Sequence, residues 1–382
     1  MAFLPFARPD ITDAEIDAVV EAMRSGWLTT GPNAAAFEKE FAEFLGTDSH
    51  AVAINSATAG LHLAFEAIGV RPGTEVLVPT WTFTSTAEAV RYLGGDPVLV
   101  DVDPHTLCID LDDAERKTTD RTVAIAPVHY AGLGVPNGAL TEFAARHSLK
   151  VIEDAAHAFP TLNEGTLIGA HGHAATVYSF YATKTMTTGE GGMVVTPDAT
   201  LAARMRTMRL HGIDRDVFDR YSSSKPSWHY DVVAPGYKYN LTDTAAAMGR
   251  VQLRRTPEMV ARRSAIAQRY DAAFADLPVT LPAKALPHSS HAWHIYNLRL
   301  TTDAPVARDR FIELMAEKQV GTSVHFIPLH LQPYWRDTYH LTPGDFPVAT
   351  AEFQRTSSLP IFSAMSDDDV EQVVVAVRAI LG

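Results

Sequence analysis

Short apolar runs at residues 51–54, 75–78, 97–100, 123–126 and 151–152 alternate with stretches such as 61–68 and 140–147, whose apolar positions recur at helical spacing. Apolar runs without polar alternation suit strands covered on both faces. The pattern therefore predicts an α/β fold with a mostly parallel, buried sheet. Ahead of it, Thr12-Asp-Ala-Glu15 is a capping-box pattern that opens an amphipathic helix, which Gly26 stops. A second helix is predicted over 33–45, ending at Gly46, and the loop Trp27-Leu-Thr29-Thr30-Gly-Pro32 separates the two. After about Asp198 the pattern changes. A helix over 201–210 is followed by a polar stretch, 214–235, with few periodic apolar positions. The long helical region 242–277 contains Pro257, which has no amide hydrogen to give and should interrupt or kink it. A smaller α+β segment comes last, with a strand over 294–300, a helix over 306–318 and a strand over 321–325. These elements predict a large domain, residues 1–240, and a small C-terminal domain, residues 241–382.

Composition narrows the function classes. The chain has 382 residues, 46% of them hydrophobic and 20% charged, as expected of a globular enzyme with a large core. A formal net charge of −13 disfavours nonspecific nucleic-acid binding, which depends on Lys and Arg neutralising phosphates. One cysteine, Cys108, gives neither an internal disulfide nor a zinc cluster, and its neighbours Leu107 and Ile109 suit a small buried apolar side chain. Residues 1–10 lack the basic-then-apolar pattern of a signal peptide. No window approaches the ~20 apolar residues of a membrane helix, so the expected compartment is the cytoplasm and no membrane partner is expected.

Ligands of open α/β sheets gather at the carboxyl ends of the strands, and here those ends are rich in chemistry. Asn55-Ser-Ala57-Thr58-Ala-Gly60 follows the first strand and opens a helix. It can cradle a phosphate, or simply cap that helix. Trp81, after the second strand, offers a flat ring for stacking, or else packs as a core tryptophan. Glu153-Asp154-Ala-Ala-His157 ends another strand, and Ser179 ends the apolar run before Lys184, which lies just short of a glycine-rich turn. A lysine amine that condenses with an aldehyde, and an aspartate that holds a ring nitrogen protonated, together suggest pyridoxal 5'-phosphate. A structural salt bridge between Asp154 and Lys184 is the plain alternative. No metal ligands are predicted.

Seven segments then resemble one family: Ser56-Ala-Thr-Ala-Gly-Leu-His-Leu63, Gly73-Thr-Glu-Val-Leu-Val-Pro79, Pro97-Val-Leu-Val-Asp-Val-Asp-Pro104, Pro127-Val-His-Tyr-Ala-Gly132, Val151-Ile-Glu-Asp-Ala-Ala-His157, the Lys184 segment, and Gly236-Tyr-Lys-Tyr-Asn-Leu-Thr-Asp243. In this order they are similar to the DegT-type sugar-nucleotide aminotransferases, fold type I enzymes dependent on pyridoxal phosphate. The resemblance implies that Lys184 bonds the cofactor, Asp154 binds its pyridine nitrogen, and Trp81 stacks on its ring. It places His157 near the phenolic oxygen, where glutamine is frequent, and Ala57, Thr58 and Ser179 on the phosphate. Asn240 would reach the phosphate of a neighbouring subunit, which implies a homodimer with shared sites.

Within the family, Phe3-Leu-Pro-Phe-Ala-Arg-Pro9, Ser25-Gly-Trp-Leu-Thr-Thr-Gly-Pro32, Ala155-Ala-His-Ala158 and His291-Ala-Trp-His294 resemble the UDP-4-amino-4-deoxy-L-arabinose synthase branch. That branch moves an amino group from L-glutamate to the 4-keto carbon of a nucleotide sugar. Trp27, Thr29, Thr30, His325 and His330 are the candidate substrate residues, with a structural role the alternative for His325 and His330. Phe159-Pro-Thr-Leu-Asn163 and Phe326-Ile-Pro-Leu-His330 depart from that branch, so sugar and nucleotide stay open. Three other readings remain: a 3-keto-sugar aminotransferase, a dehydratase of the same family, and a nonenzymatic cofactor-binding regulator. The dehydratases typically carry histidine where this chain has Lys184.

Overall fold

The computed structural model describes residues 2–214 and 230–382. Most of the polar stretch predicted over 214–235 lies outside the described residues.

Nine strands precede residue 197 among the described residues: β1 (His50–Ile54), β2 (Glu75–Pro79), β3 (Asp96–Val100), β4 (Thr122–Ile125), β5 (Lys150–Asp154), β6 (Leu162–Asn163), β7 (Thr166–Leu167), β8 (Ala175–Ser179) and β9 (Gly192–Thr196). β6 and β7 form a small hairpin. The others make one sheet in the order β1-β9-β8-β5-β4-β2-β3, parallel except that β9 runs antiparallel to both neighbours. Their apolar runs are continuous because both faces are covered. Val52, Ile54, Val177 and Val194 join one core cluster, while Ala51, Ala53, Tyr178, Met193 and Val195 join another. That split follows the two-residue period of a strand.

A second, three-stranded sheet lies toward the C-terminus. It holds β10 (Val279–Thr280), β11 (Tyr296–Leu300) and β12 (Thr356–Leu359), and it packs into its own core with Phe274, Phe311, Val373 and Val377. The helix Asp243–Phe274 links the two cores. Ala246 and Leu253 belong to the first, and Ile266, Tyr270 and Phe274 to the second. This helix runs uninterrupted past Pro257. Proline removes a single amide donor, and burial of Thr256 and Met259 on either side holds the helix together there. Residues 321–325, expected as a strand, make only single contacts: Gly321 donates to the Leu4 carbonyl, and Ser323 bridges Ser358. The peptide bond that follows, His325–Phe326, is cis.

The predicted N-terminal signals are all present. Thr12 and Glu15 form the capping box of the helix Asp13–Arg24, and Gly26 adopts a left-handed φ of 78°. The helix Pro32–Leu45 has no side-chain cap of its own. Asp243 supplies one from a distance, accepting from the Asn33 and Ala34 amides. No helix among the described residues is long and apolar enough to cross a membrane.

Candidate active site

A cavity of about 470 Å³ opens at the carboxyl ends of β1, β5 and β8. Ser56 caps the helix Ala57–Ala67 that forms one wall, its hydroxyl accepting from the Ala59 amide. The Ala57 and Thr58 amides, in the first turn, have no intrahelical carbonyl to meet and face a place suited to an anion. Two glycines fix that helix end. A Cβ on Gly60 would lie 2.4 Å from Ile54, and one on Gly192 would lie 2.6 Å from the Tyr178 carbonyl and 3.0 Å from the Ala57 amide. Ser179, at the end of β8, borders the same corner.

Asp154 ends β5 and is buried. Its carboxylate accepts from the Thr86 hydroxyl at 2.7 Å and from the Ala156 amide at 3.1 Å. Lys184 lies in the same cavity. Burial lowers its amine to about 8, against the opposing pull of the Asp154 carboxylate. A plain salt bridge is not what forms, since no direct ion pair joins them among the described residues. His157 is held neutral, first by burial and then by Lys184. Its Nδ1 accepts from the Ala131 amide at 3.3 Å, which places the ring proton on Nε2.

The ring-stacking expectation for Trp81 is corrected. Trp81 is 0% exposed and does not border the cavity; its indole N–H donates to the His325 carbonyl at 3.0 Å. That bond, and an edge contact with Tyr130, draw the indole into the core. Two residues on, Phe83 is 58% exposed and lines the cavity, so the flat apolar face there is phenyl. His330 is corrected too. It is fully buried between the Thr80 and Thr350 hydroxyls and stacks on Phe346, so it serves packing. His325 does border the cavity. Tyr130 and Trp81 donate to its carbonyl, Ser358 bonds its Nδ1, and Phe6 stacks on its ring.

Trp27, Thr29, Thr30 and Asn240 do not border this cavity. They are tied together instead. Asn240 donates to the Thr30 hydroxyl, which donates to the Leu241 carbonyl, and the Trp27 indole donates to the Thr30 carbonyl. The Asp243 amide bonds the Thr29 carbonyl. Sequence reasoning missed Phe83, Thr86, His294 and Phe326. Phe83 had a signal as the second aromatic of Trp81-Thr-Phe83, His294 as the end of the segment His291-Ala-Trp-His294, and Phe326 as the start of a departing segment, but none was given a role.

A buried carboxylate, a lysine with a lowered proton affinity, an aromatic face and a helix N-terminus suit pyridoxal 5'-phosphate in turn: ring nitrogen, aldehyde, ring plane and phosphate. The profile of the DegT/DnrJ/EryC1/StrS aminotransferase family matches residues 9–378. The chain belongs to that family. It is 45% identical to the spore coat polysaccharide biosynthesis protein SpsC of Bacillus subtilis, over 99% of this chain and 97% of that one. It also superimposes on Spr1654 from Streptococcus pneumoniae, a protein assigned as a sugar aminotransferase. The TM-score is 0.93 for the pyridoxamine phosphate (PMP) form, at 31% identity over 99% and 98% of the two chains. For the pyridoxal phosphate form it is 0.91, at 30% identity over the whole of both chains. This DegT-family protein is thus a pyridoxal-phosphate-dependent aminotransferase.

Proposed function

We propose that the protein transfers the amino group of L-glutamate to a keto carbon, at C4, of a nucleotide-linked sugar. It does so as a cytoplasmic homodimer with two shared active sites, each protomer divided into domains 1–240 and 241–382. The observation that carries this is Lys184 itself, a largely buried amine in a cavity with Asp154 and a helix N-terminus. The amine also argues against the dehydratase reading, since that branch typically has histidine at this position. A surface polysaccharide is the proposed destination of the amino sugar, by likeness to the spore coat relative.

Pyridoxal phosphate supplies the electron sink that lets the proton on the carbon bearing nitrogen leave. The chain's residues do the rest. Asp154, fixed by Thr86 and Ala156, would hold the ring nitrogen. His157 would offer Nε2–H to the phenolic oxygen, and Phe83 would cover one ring face. Ala57, Thr58 and Ser179 would hold the phosphate, joined by Asn240 from the neighbouring subunit. Lys184 would take the proton at one carbon and return it at the other, a task suited to an amine near neutrality. Trp27, Thr29 and Thr30 meet the partner's substrate, and His325 meets this chain's own.

The test offers L-glutamate to the cofactor-loaded protein, then a panel of 4-keto and 3-keto UDP and dTDP sugars. Glutamate should bleach the visible cofactor band, and 4-keto sugars should restore it. Turnover of 3-keto sugars alone would overturn the C4 assignment, and no bleaching with any amino acid would overturn transamination.

A further inference from the structure

His294 has no place in the chemistry so far, yet it borders the cavity while being only 8% exposed. Its ring centroid lies 4.4 Å from that of His157, and its amide is fixed to the Ala131 carbonyl at 3.0 Å. Among the described residues neither ring nitrogen has a hydrogen-bond partner. Nδ1 is fully enclosed, whereas Nε2 is not, so Nε2 is the nitrogen that a molecule in the cavity can reach. Burial, then Lys184 and His157, keep the ring neutral. A neutral imidazole carries one proton. An enclosed N–H without an acceptor costs more than an enclosed lone pair, so the proton sits on Nε2.

Leaving a buried imidazole unpaired is costly, and a cavity-facing donor without a partner is suited to a ligand that supplies one. Among the described residues that border this cavity there is no arginine to clamp a carboxylate, and Lys184 is the only lysine. A transaminase binds two unlike molecules in one place. An arginine would suit the donor's carboxylate but would stay a buried, unpaired cation against a sugar hydroxyl. A neutral N–H can donate to either.

We propose that His294 is a substrate-binding residue whose Nε2–H donates to an oxygen beside the reacting carbon in both half-reactions: a carboxylate oxygen of the amino donor, then a hydroxyl oxygen of the keto sugar. This rests on the transamination reading above. The test compares wild-type holoenzyme with His294→Phe, which keeps the ring shape, and His294→Gln, which keeps an N–H donor. Each half-reaction is measured separately, and binding of glutarate, an unreactive dicarboxylate, is measured by calorimetry. In His294→Phe the KM for L-glutamate, the KM for the keto sugar and the Kd for glutarate should each rise about tenfold, the scale of one lost hydrogen bond. The cofactor band and kcat should change little, and His294→Gln should recover most of the loss. Should the phenyl variant not fold, His294→Asn, too short to reach, replaces it with the same expectation. A rise confined to one substrate, or none, overturns the shared role of His294. Wild-type protein inert toward every amino acid overturns the transamination reading instead.

Discussion

Lys184 is the residue on which the proposed chemistry turns, and its lowered proton affinity has a measurable sign. Its amine loses a proton at about 8 rather than near 10.5, because burial disfavours the charged form. Only the neutral amine attacks an aldehyde. The rate at which cofactor-free protein captures pyridoxal phosphate should therefore climb with pH and level off above about 8. A plateau reached only near 10 would mean that the amine is not desolvated. Phe83 and Trp81 make a second residue-scale contrast. Phe83→Ala should weaken cofactor retention by up to about tenfold, the scale of one aromatic contact. Trp81→Phe should leave retention intact and lower stability by about 1 kcal/mol, through the lost bond to the His325 carbonyl. Equilibrium dialysis and thermal melts separate the two.

At the scale of elements, the helix Asp13–Arg24 is fastened to the helix Asp243–Phe274 by one buried carboxylate. Burial alone would raise Glu15, but bonds from Thr12, Arg255 and Gln252 outweigh it and hold the carboxyl at about 2. A depressed carboxylate stabilises the fold fully above its ordinary value, and the gain is lost as pH falls toward the folded value. Glu15→Ala should cost about 1–3 kcal/mol at neutral pH by removing the acceptor shared by Thr12, Gln252 and Arg255, although Arg255 keeps Asp10 and Glu258. The gap between variant and wild type in denaturant melts should narrow between about pH 4 and pH 2. An unchanging gap would show that the charge is not what matters. Elements were also where the sequence was most legible. Thr12, Gly26, Gly46 and the apolar runs act through neighbours a few residues away, so their signals are local. Legibility ended where partners are distant. The cap that Asp243 gives to Asn33 and Ala34 and the bond from Thr86 to Asp154 join residues far apart in the chain. The failed strand over 321–325 and the intact helix at Pro257 are likewise decided by what packs beside them.

For the whole molecule, the separation of the Asn240–Thr30–Trp27 unit from the cavity of its own chain gives the proposed dimer a decisive test. Lys184→Ala and Asn240→Ala proteins should each be strongly impaired alone. Refolded together in equal amounts, half the dimers are hybrids, and each hybrid regains one intact site of two. The mixture should thus recover about a quarter of wild-type activity, and no recovery would mean that each chain supplies its own site. The same reasoning explains why the site was only partly readable. Asp154 ends β5, and His157 and Lys184 follow shortly after β5 and β8, where topology concentrates function, while His294 and His330 look alike in sequence and differ only in what surrounds them.

Cys108 is the chain's single thiol, buried and, with its proton affinity raised to about 11 by burial, almost entirely un-ionised at neutral pH. Maleimide can reach it only when the surrounding core opens, so the labelling rate becomes a clock for that opening. The holoenzyme should label more slowly than the cofactor-free protein, because a ligand that binds only the closed form makes opening rarer. Mass spectrometry would read both, in crude extract as readily as in a purified sample, with no dye or engineered tag attached.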